Sequence, residues 1–334
     1  MKISSIIALI KSKIPYSWLL LHEMWCYWRR LLKYNAMFNT DNDIQKMQYT
    51  LLRENHVIEK GMSMSNPRKG FGQGKVSALI KRLRKYNNHY GNYDKSFLIY
   101  PLSTIKAYIT YQQQDNVDIE NIENDFHELC KEAGINAEEL KLTAGINIIS
   151  SESLQRDAKS DFVSLLNSRH SIRYFKDELP EKEKLEKALE MASRTPSACN
   201  RQAWHTHFYF GTTCHQLLKM QGGCNGFEEN IHCCIVVTAD MKGFLDYEPF
   251  QCYIDGGLYA MNLINALHYE GLGTIPLSCG FYHTKLKEIH KTFDIPENET
   301  MIVIIGCGNL TDEIKIAVSS RKPYNKTNTY HDGH

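Results

Sequence analysis

Residues 251–270 read QCYIDGGLYAMNLINALHYE. Over residues 254–269 one helical stripe takes Ile254, Leu258, Met261, Asn265 and His268, with Gly257, Ala260, Ile264 and Leu267 beside it. A helix this apolar over so much of its surface predicts burial on two sides. Gly256-Gly257 costs roughly 1 kcal/mol per Gly against Ala in a helix, so the pair predicts a neighbour's close approach. Upstream, residues 231–238 form a continuous apolar run of strand length, expected as a buried central strand. Residues 204–210 alternate as a strand, and 274–277 and 301–305 predict two more. Helical spacing at Phe162, Leu165 and Leu166, and at Leu185, Ala188 and Leu189 within 181–193, sets helices among them. Residues 156–334 therefore read as one domain of mixed strands and helices.

Residues 1–155 have another texture. Stretches 17–38, 43–61, 74–89, 121–133 and 137–144 read as helices, and loops fall at 66–72 and 87–92, where Pro, Gly and Asn cluster. Residues 97–113 are rich in β-branched side chains, but their length favours a helix. The chain turns polar at 150–160, which predicts a linker. The expected class is α+β: a mostly helical region of unknown role over 1–155, then a mixed domain over 156–334. At roughly 150 residues per domain, 334 residues agree with two domains.

The apolar share of 43% and charged share of 23% exclude wholesale disorder. Net charge is +1, but residues 1–90 carry 16 Lys/Arg against 5 Asp/Glu, so the basic surplus sits at the amino-terminal end. No stacking motif accompanies it, which argues against nucleic acid as a partner. Eight basic residues and no acid lie from Lys60 to Lys85. The plain reading is a solvated face. The sharper one is an anion site in which Arg68, Lys69 and the amides of 70–74 hold a phosphorylated or carboxylated substrate, or the phosphates of NAD(P)H. In RENHVIEKG at 53–61, His56, Glu59 and Lys60 share a helical face, and the helix is expected to end at Gly61.

The ten cysteines show no CxxC pair and no zinc spacing, so no metal is expected. They read as reduced and mostly buried in a cytoplasmic protein, Cys199 and Cys279 included. The apolar run at 6–10 is broken by Lys11, Lys13 and Pro15, and no run reaches the roughly 18–20 apolar residues that span a bilayer. Trp18 to Leu21, Met24, Trp25 and Trp28, followed by Arg29-Arg30, form an amphipathic helix. Packing on the rest of the protein is the favoured reading. Weak contact of residues 1–30 with a membrane surface is the other.

Three polar clusters offer chemistry. SRHSIRYF at 168–175 places two guanidinium groups, an imidazole and a hydroxyl within five positions, and Arg forks suit phosphate oxygens. An extended backbone there would aim Arg169, Ser171 and Arg173 one way. PSACNRQAW at 196–204 is a turn whose amides and Asn and Gln side chains suit a planar heterocycle. SSRKP at 319–323 is again hydroxyl plus guanidinium. Together with DGGLYAMNLINAL at 255–267, GLGTIPLS at 271–278 and IIGCG at 304–308, these segments resemble, in order and spacing, the nitroreductase family of FMN-dependent oxidoreductases over about residues 160–325.

That resemblance implies a nitroreductase-like mixed β-sheet flanked by helices, and a homodimer with FMN at the interface, where the helix at 251–270 packs on its twin. It implies that Arg169 and Arg321 meet the FMN phosphate and that His170 and Ser171 contact the phosphate–ribityl end or ring edge. Arg173 would sit near the pyrimidine edge. Pro196, Ser197, Ala198 and Asn200 would line the ring, with Gln202 supporting the loop. Pro276, Leu277 and Ser278 would cover the other side from the partner subunit, and Gln221 and Asn225 are further candidates at the pyrimidine edge. The implied activity is ping-pong hydride transfer from NAD(P)H through flavin N5 to a small organic acceptor of the nitroaromatic, quinone or enone class. The flavin carries the chemistry, so no side-chain acid or base is assigned. The alternatives are a flavoenzyme using a dedicated anionic substrate without nicotinamide, or a non-catalytic scaffold. Three departures stand out: Ala203 in place of the usual Pro before Trp204, Ser278-Cys279 among the covering residues, and the helical first half.

Overall fold

The computed structural model describes residues 16–35, 40–245 and 247–331. The apolar run at 6–10 and the end of the helix expected over 17–38 lie outside them. Two compact units emerge. One, the mixed unit, takes the chain up to Leu31 and again Ile149–Ile314; the other, the helical unit, takes Leu32–Ile148 and the chain from Lys315 onward. The division therefore differs from a single boundary at 155: α1 (Tyr16–Tyr34), the first helix among the described residues, lies mostly in the mixed unit, and the carboxy-terminal segment joins the helical one.

In the helical unit α2 (Ile44–Met62), α3 (Gln73–Tyr90), α4 (Ile99–Gln114) and α5 (Glu120–Glu132) surround one core. Asp43 starts α2 by accepting the Gln45 and Lys46 amides at 3.0 and 3.1 Å, the usual role of an N-cap carboxylate. Leu51, Ile58, Leu79, Leu83, Tyr86, Leu102, Ile105 and Leu129 are buried together. Residues 99–114 are helical, because Pro101 falls in the first turn, where it costs no hydrogen bond, and Leu102, Ile105 and Ile109 meet the core. Residues 137–144 are turns, not the expected helix. The Asn136 side chain accepts the Glu138 amide at 3.0 Å, and Lys106 Nζ donates to the carbonyls of Ala137, Glu138 and Leu140 at 2.8, 3.1 and 3.0 Å. Those carbonyls serve a distant lysine, so the local periodicity misleads.

Glu59 also departs from expectation. It turns inward and is fully buried, while His56 stays exposed. Its carboxylate accepts the Tyr100 hydroxyl at 2.6 Å and the Gly145 amide at 3.0 Å. Burial, with the Glu59 charge adding to it, pushes the Tyr100 phenol well above its ordinary range. Removing a buried acceptor strands its donors, so Glu59→Ala is expected to cost on the order of 3 kcal/mol. Urea unfolding of the full chain measures this, and an unchanged midpoint would refute it.

The strand β1 (Ile146–Ser150) leads into the mixed unit. The polar stretch expected as a linker holds α6 (Ser151–Ala158), capped by the Ser150 hydroxyl, which accepts the Ser153 amide at 3.2 Å. There follow α7 (Phe162–Ser168), α8 (Lys182–Ala192), β2 (Trp204–Phe210), α9 (Gly211–Gln221), β3 (Cys233–Asp240), α10 (Gln251–Tyr269), β4 (Leu272–Ser278), α11 (His283–Thr292), β5 (Glu299–Asn309) and β6 (Glu313–Ala317). The strand β6 pairs with β1, and the main sheet has the order β2-β3-β5-β4. Its ladders are antiparallel: Phe208 faces Ile235, Ile235 faces Ile305, and Ile275 faces Gly306. The outer edge of β4 adds a parallel bridge between Thr274 and Ser171, which makes the sheet mixed.

Central β3 is buried on both faces, so Cys233 and Cys234 both sit in the core, as the apolar run predicts. One side of α10 packs on α8 and the sheet through Tyr259, Ala260, Leu263 and Leu267. A Cβ at Gly256 would come within 2.5 Å of Ile302 Cγ1, so that glycine allows the close approach; nothing lies within 4 Å at Gly257. The expected burial on two sides is met on one. Ile254, Leu258 and Met261 remain 53%, 47% and 41% exposed.

Candidate functional site

The segment that follows α7 is placed by the sheet. Asp161 caps α7, accepting the Val163 and Ser164 amides at 2.9 and 3.1 Å. Arg169 leaves the helix with extended backbone. Ser171 then bridges Thr274, the Ile172 amide donates to the Thr274 carbonyl at 2.8 Å, and Phe175 bridges Leu310. Glycines make this possible: a Cβ at Gly308 would lie 2.9 Å from Phe175 Cβ, and one at Gly273 would lie 3.0 Å from Phe175 Cε1. Ile172 and Phe175 sink into the core, and Arg169, His170 and Ser171 stay partly exposed. Arg173 does not share their outward aim. It is 4% exposed, with Nη1 3.4 Å from the Ser171 carbonyl.

Behind this ledge stands His268 of α10, 3% exposed, with Nε2 2.8 Å from Ser168 Oγ. Burial, then the charges of Arg169 and His170, push its pKa down to about 4. It is neutral at pH 7 and leaves the positive charge to its neighbours. The unfolded chain takes up this proton near pH 6.5, and the folded chain refuses it until about pH 4. Stability is therefore lost as pH falls through that window. Wild type is expected to lose on the order of 3 kcal/mol more than His268→Gln between pH 7 and 4, read by unfolding at each pH. Parallel loss in both proteins would contradict the assignment.

The loop 196–202 is held from several directions. Cys199, Asn200 and Gln202 have φ of 51°, 55° and 53°, a left-handed conformation that non-glycine residues rarely adopt. Asp255 of α10, almost wholly buried, accepts the Ala198 amide at 3.1 Å and Gln251 Nε2 at 2.8 Å. Arg201 forms a two-pronged pair with Glu248 at 2.6 and 2.8 Å and donates Nε to the Ala198 carbonyl at 2.9 Å. The Arg201 guanidinium holds the Glu248 carboxyl at about 2. Ser197 Oγ accepts the Gln202 amide at 2.9 Å, and Gln202 Nε2 reaches Asn200 Oδ1 at 3.2 Å, so Gln202 supports the loop. Just upstream, Asn262 of α10 donates to Thr195 Oγ1 at 2.7 Å. The left-handed turn leaves Pro196, Asn200 and Gln202 exposed. It also exposes the Cys199 thiol, which corrects the expectation that this cysteine is buried. Cys279 is partly buried, and desolvation pushes its thiol up to about 12.

On edge strand β4, Pro276 and Ser278 face outward, while Leu277 is buried in its own core. Gln221 Nε2 donates to the Ser278 carbonyl at 3.0 Å, which ties the end of α9 to the end of β4. Asn225 is exposed in the turn after α9. Three candidates belong to the helical unit. Arg68 and Lys69 lie in the glycine-containing loop before α3, on an open surface with Lys75 and Asp118. Arg321 lines a cavity of about 290 Å³ with Phe97, Tyr100, Lys322 and Lys326.

The supporting residues Asp255, Glu248, Arg201 and His268 escape a motif reading that asks which side chains face a ligand. Asp255 carried one signal, being the single acid inside the apolar helix at 254–269.

Residues 166–221 match the model of the Nitroreductase family. A protein of Archaeoglobus fulgidus provisionally named NADH dehydrogenase/NAD(P)H nitroreductase is 28% identical over 155 residues, 45% of this chain and 86% of that one. A protein of Methanothermobacter thermautotrophicus with the same provisional name is 25% identical over 152 residues, 45% of this chain and 78% of that one. Among solved structures, an FMN-dependent nitroreductase from Clostridium difficile is 24% identical, covers 44% of this chain and 87% of its own, and has a TM-score of 0.39. A provisionally named nitroreductase from Exiguobacterium sibiricum in complex with FMN is 19% identical, covers 52% and 98%, and has a TM-score of 0.43.

Proposed function

Because the chain belongs to the nitroreductase family, we propose that its mixed unit is an FMN-dependent oxidoreductase that takes hydride from NAD(P)H and delivers it to a small organic acceptor of the nitroaromatic, quinone or enone class. The donor set fits that cofactor. Arg169, His170 and Ser171 form a partly exposed ledge of cation and hydroxyl suited to a phosphate and its ribityl chain. The loop 196–202 presents the amide side chains of Asn200 and Gln202 on a backbone that is already fixed. Pro196, Ser197 and Ala198 complete the surface for the ring, and Gln221 and Asn225 are assigned to its polar edge, with Arg173, which is buried, supplying charge there and not a surface contact.

FMN bound there would supply two-electron hydride acceptance and donation. The chain's part is to bind and orient it. Asp255 and the Arg201–Glu248 pair keep the loop from relaxing, and no side chain needs to move a proton. The exposed stripe of Ile254, Leu258 and Met261 on α10 supports a homodimer, since an apolar helix face of this kind marks an association surface. In it Pro276, Ser278 and the Leu277 backbone of one protomer would cover the flavin of the other.

The observation that carries this reading is the loop pinned through buried Asp255, with its amide side chains outward. The test is anaerobic titration of the FMN-loaded protein with NADH and with NADPH. Bleaching of the flavin bands by one or both, with turnover on a quinone, is expected. A protein that takes up no FMN would refute the reading. A second reading, a dedicated anionic substrate without nicotinamide, is supported by the basic surface of Arg68, Lys69 and Lys75. It predicts reduction by dithionite but not by either nicotinamide.

A further inference from the structure

The helix α1 has two apolar seams, and only one is used. Leu20 and Met24 line a cavity of about 520 Å³ with Phe244, Leu245, Phe250 and Tyr253, and the Tyr27 ring lies 4.6 Å from that of Phe250. The favoured expectation, packing on the rest of the protein, is met only by these contacts, for Leu20, Met24 and Tyr27 remain 40%, 41% and 38% exposed. The next seam is made of Trp18, Leu21, Trp25 and Trp28, spaced three, four and three residues apart so that they share a stripe. These are 64%, 60%, 48% and 53% exposed. Beyond them runs a polar edge of His22, Cys26, Arg29 and Lys33, also at helical spacing. The Arg29 guanidinium lies 4.9 Å from the Trp25 ring centre, at the join of apolar seam and cationic edge.

We propose that this second seam of α1 seats the protein on an anionic lipid surface, with the helix lying in the plane of the interface. Three indoles beside cations are what such a surface recognises: the ring body enters the acyl boundary, and its N–H and the neighbouring Arg and Lys heads stay at the headgroups. Charge decides between lipid and a second copy of the chain. The described helix carries three basic side chains, Arg29, Arg30 and Lys33, against one acid, Glu23. Packing two such seams together would bring like charges face to face. An anionic bilayer complements them, each cation near the surface adding to the attraction. The helix rests on the surface and does not cross it: among the described residues no helix is long and apolar enough to span a membrane. This proposal is independent of the flavin reading.

The test is flotation of the full chain with vesicles of phosphatidylcholine alone and of phosphatidylcholine with phosphatidylglycerol. Binding to the anionic vesicles is expected to be at least about tenfold stronger, and to weaken in high salt. The exposed pair Trp25→Glu/Trp28→Glu should abolish it with unchanged flavin content and melting temperature. Arg29→Glu/Arg30→Glu should remove the preference for anionic vesicles. No binding to anionic vesicles, or equal binding to both kinds, would overturn the proposal. So would a loss of mass by light scattering in the tryptophan variant with no vesicle binding by wild type, since the seam would then serve a second copy.

Discussion

Asp255→Ala is expected to weaken FMN binding about thirtyfold without touching any side chain that faces the ligand. Asp255 is 2% exposed, and its carboxylate takes the Ala198 amide and the Gln251 side chain. Alanine leaves both donors without their acceptor, and a buried amide left so costs about 1–3 kcal/mol. That loss falls on a loop already strained, since each left-handed non-glycine residue costs on the order of 1 kcal/mol and Cys199, Asn200 and Gln202 are all of this kind. With one restraint gone, the loop relaxes toward ordinary backbone and must be reordered by the ligand. About 2 kcal/mol of reordering corresponds to the thirtyfold loss. Fluorescence titration with FMN reads the affinity, and circular dichroism melting shows whether the fold survives. Asp255→Asn keeps one acceptor oxygen and should fall between the two. Affinity within twofold of wild type in a folded Asp255→Ala protein would show that the loop is not what holds the ring.

The second large effect is expected at Arg169. Its backbone is set by the end of α7 and the Ser171–Thr274 bridge, and its side chain is partly exposed, so substitution should leave the fold intact. Arg169→Glu replaces a charge-assisted bond to phosphate by repulsion at the same place. A hydrogen bond to a charged group contributes about 1.5–3 kcal/mol, and the reversal adds to it, so FMN affinity should fall at least about a hundredfold. Arg169→Lys keeps the charge but not the planar fork, and a loss of about tenfold is expected. The pH behaviour should change too, because Arg169 helps hold the pKa of His268 down. In Arg169→Glu that imidazole should titrate higher, which NMR of the histidine ring would register.

How far the sequence reveals this molecule depends on the range of the forces involved. The strand at 233–240 and the helix at 251–269 are legible because their burial is written into consecutive residues. The ledge and loop motifs are legible as chemistry, and Gly273 and Gly308 within the neighbouring motifs prove to be the room that Phe175 needs. What escapes is settled by partners far away in the chain. Residues 137–144 yield their carbonyls to Lys106, and Glu59 is drawn inward by Tyr100 and Gly145, although local periodicity places it beside His56. Cys199 looks like a small core residue by type, but a left-handed turn exposes it. The helix at 251–269 looks buried on two sides, yet Ile254, Leu258 and Met261 stay exposed, because an apolar run does not say which of its faces a neighbouring element covers.

In the proposed site, residues 169–171 receive the phosphate of a flavin whose ring rests on the loop 196–202. Parallel titrations of flavin-free protein with FMN and with riboflavin, which lacks only that phosphate, test it most directly. FMN is expected to bind at least about a hundredfold more tightly, and Arg169→Glu to remove most of the difference. Equal affinities for the two flavins in the wild-type protein would contradict it.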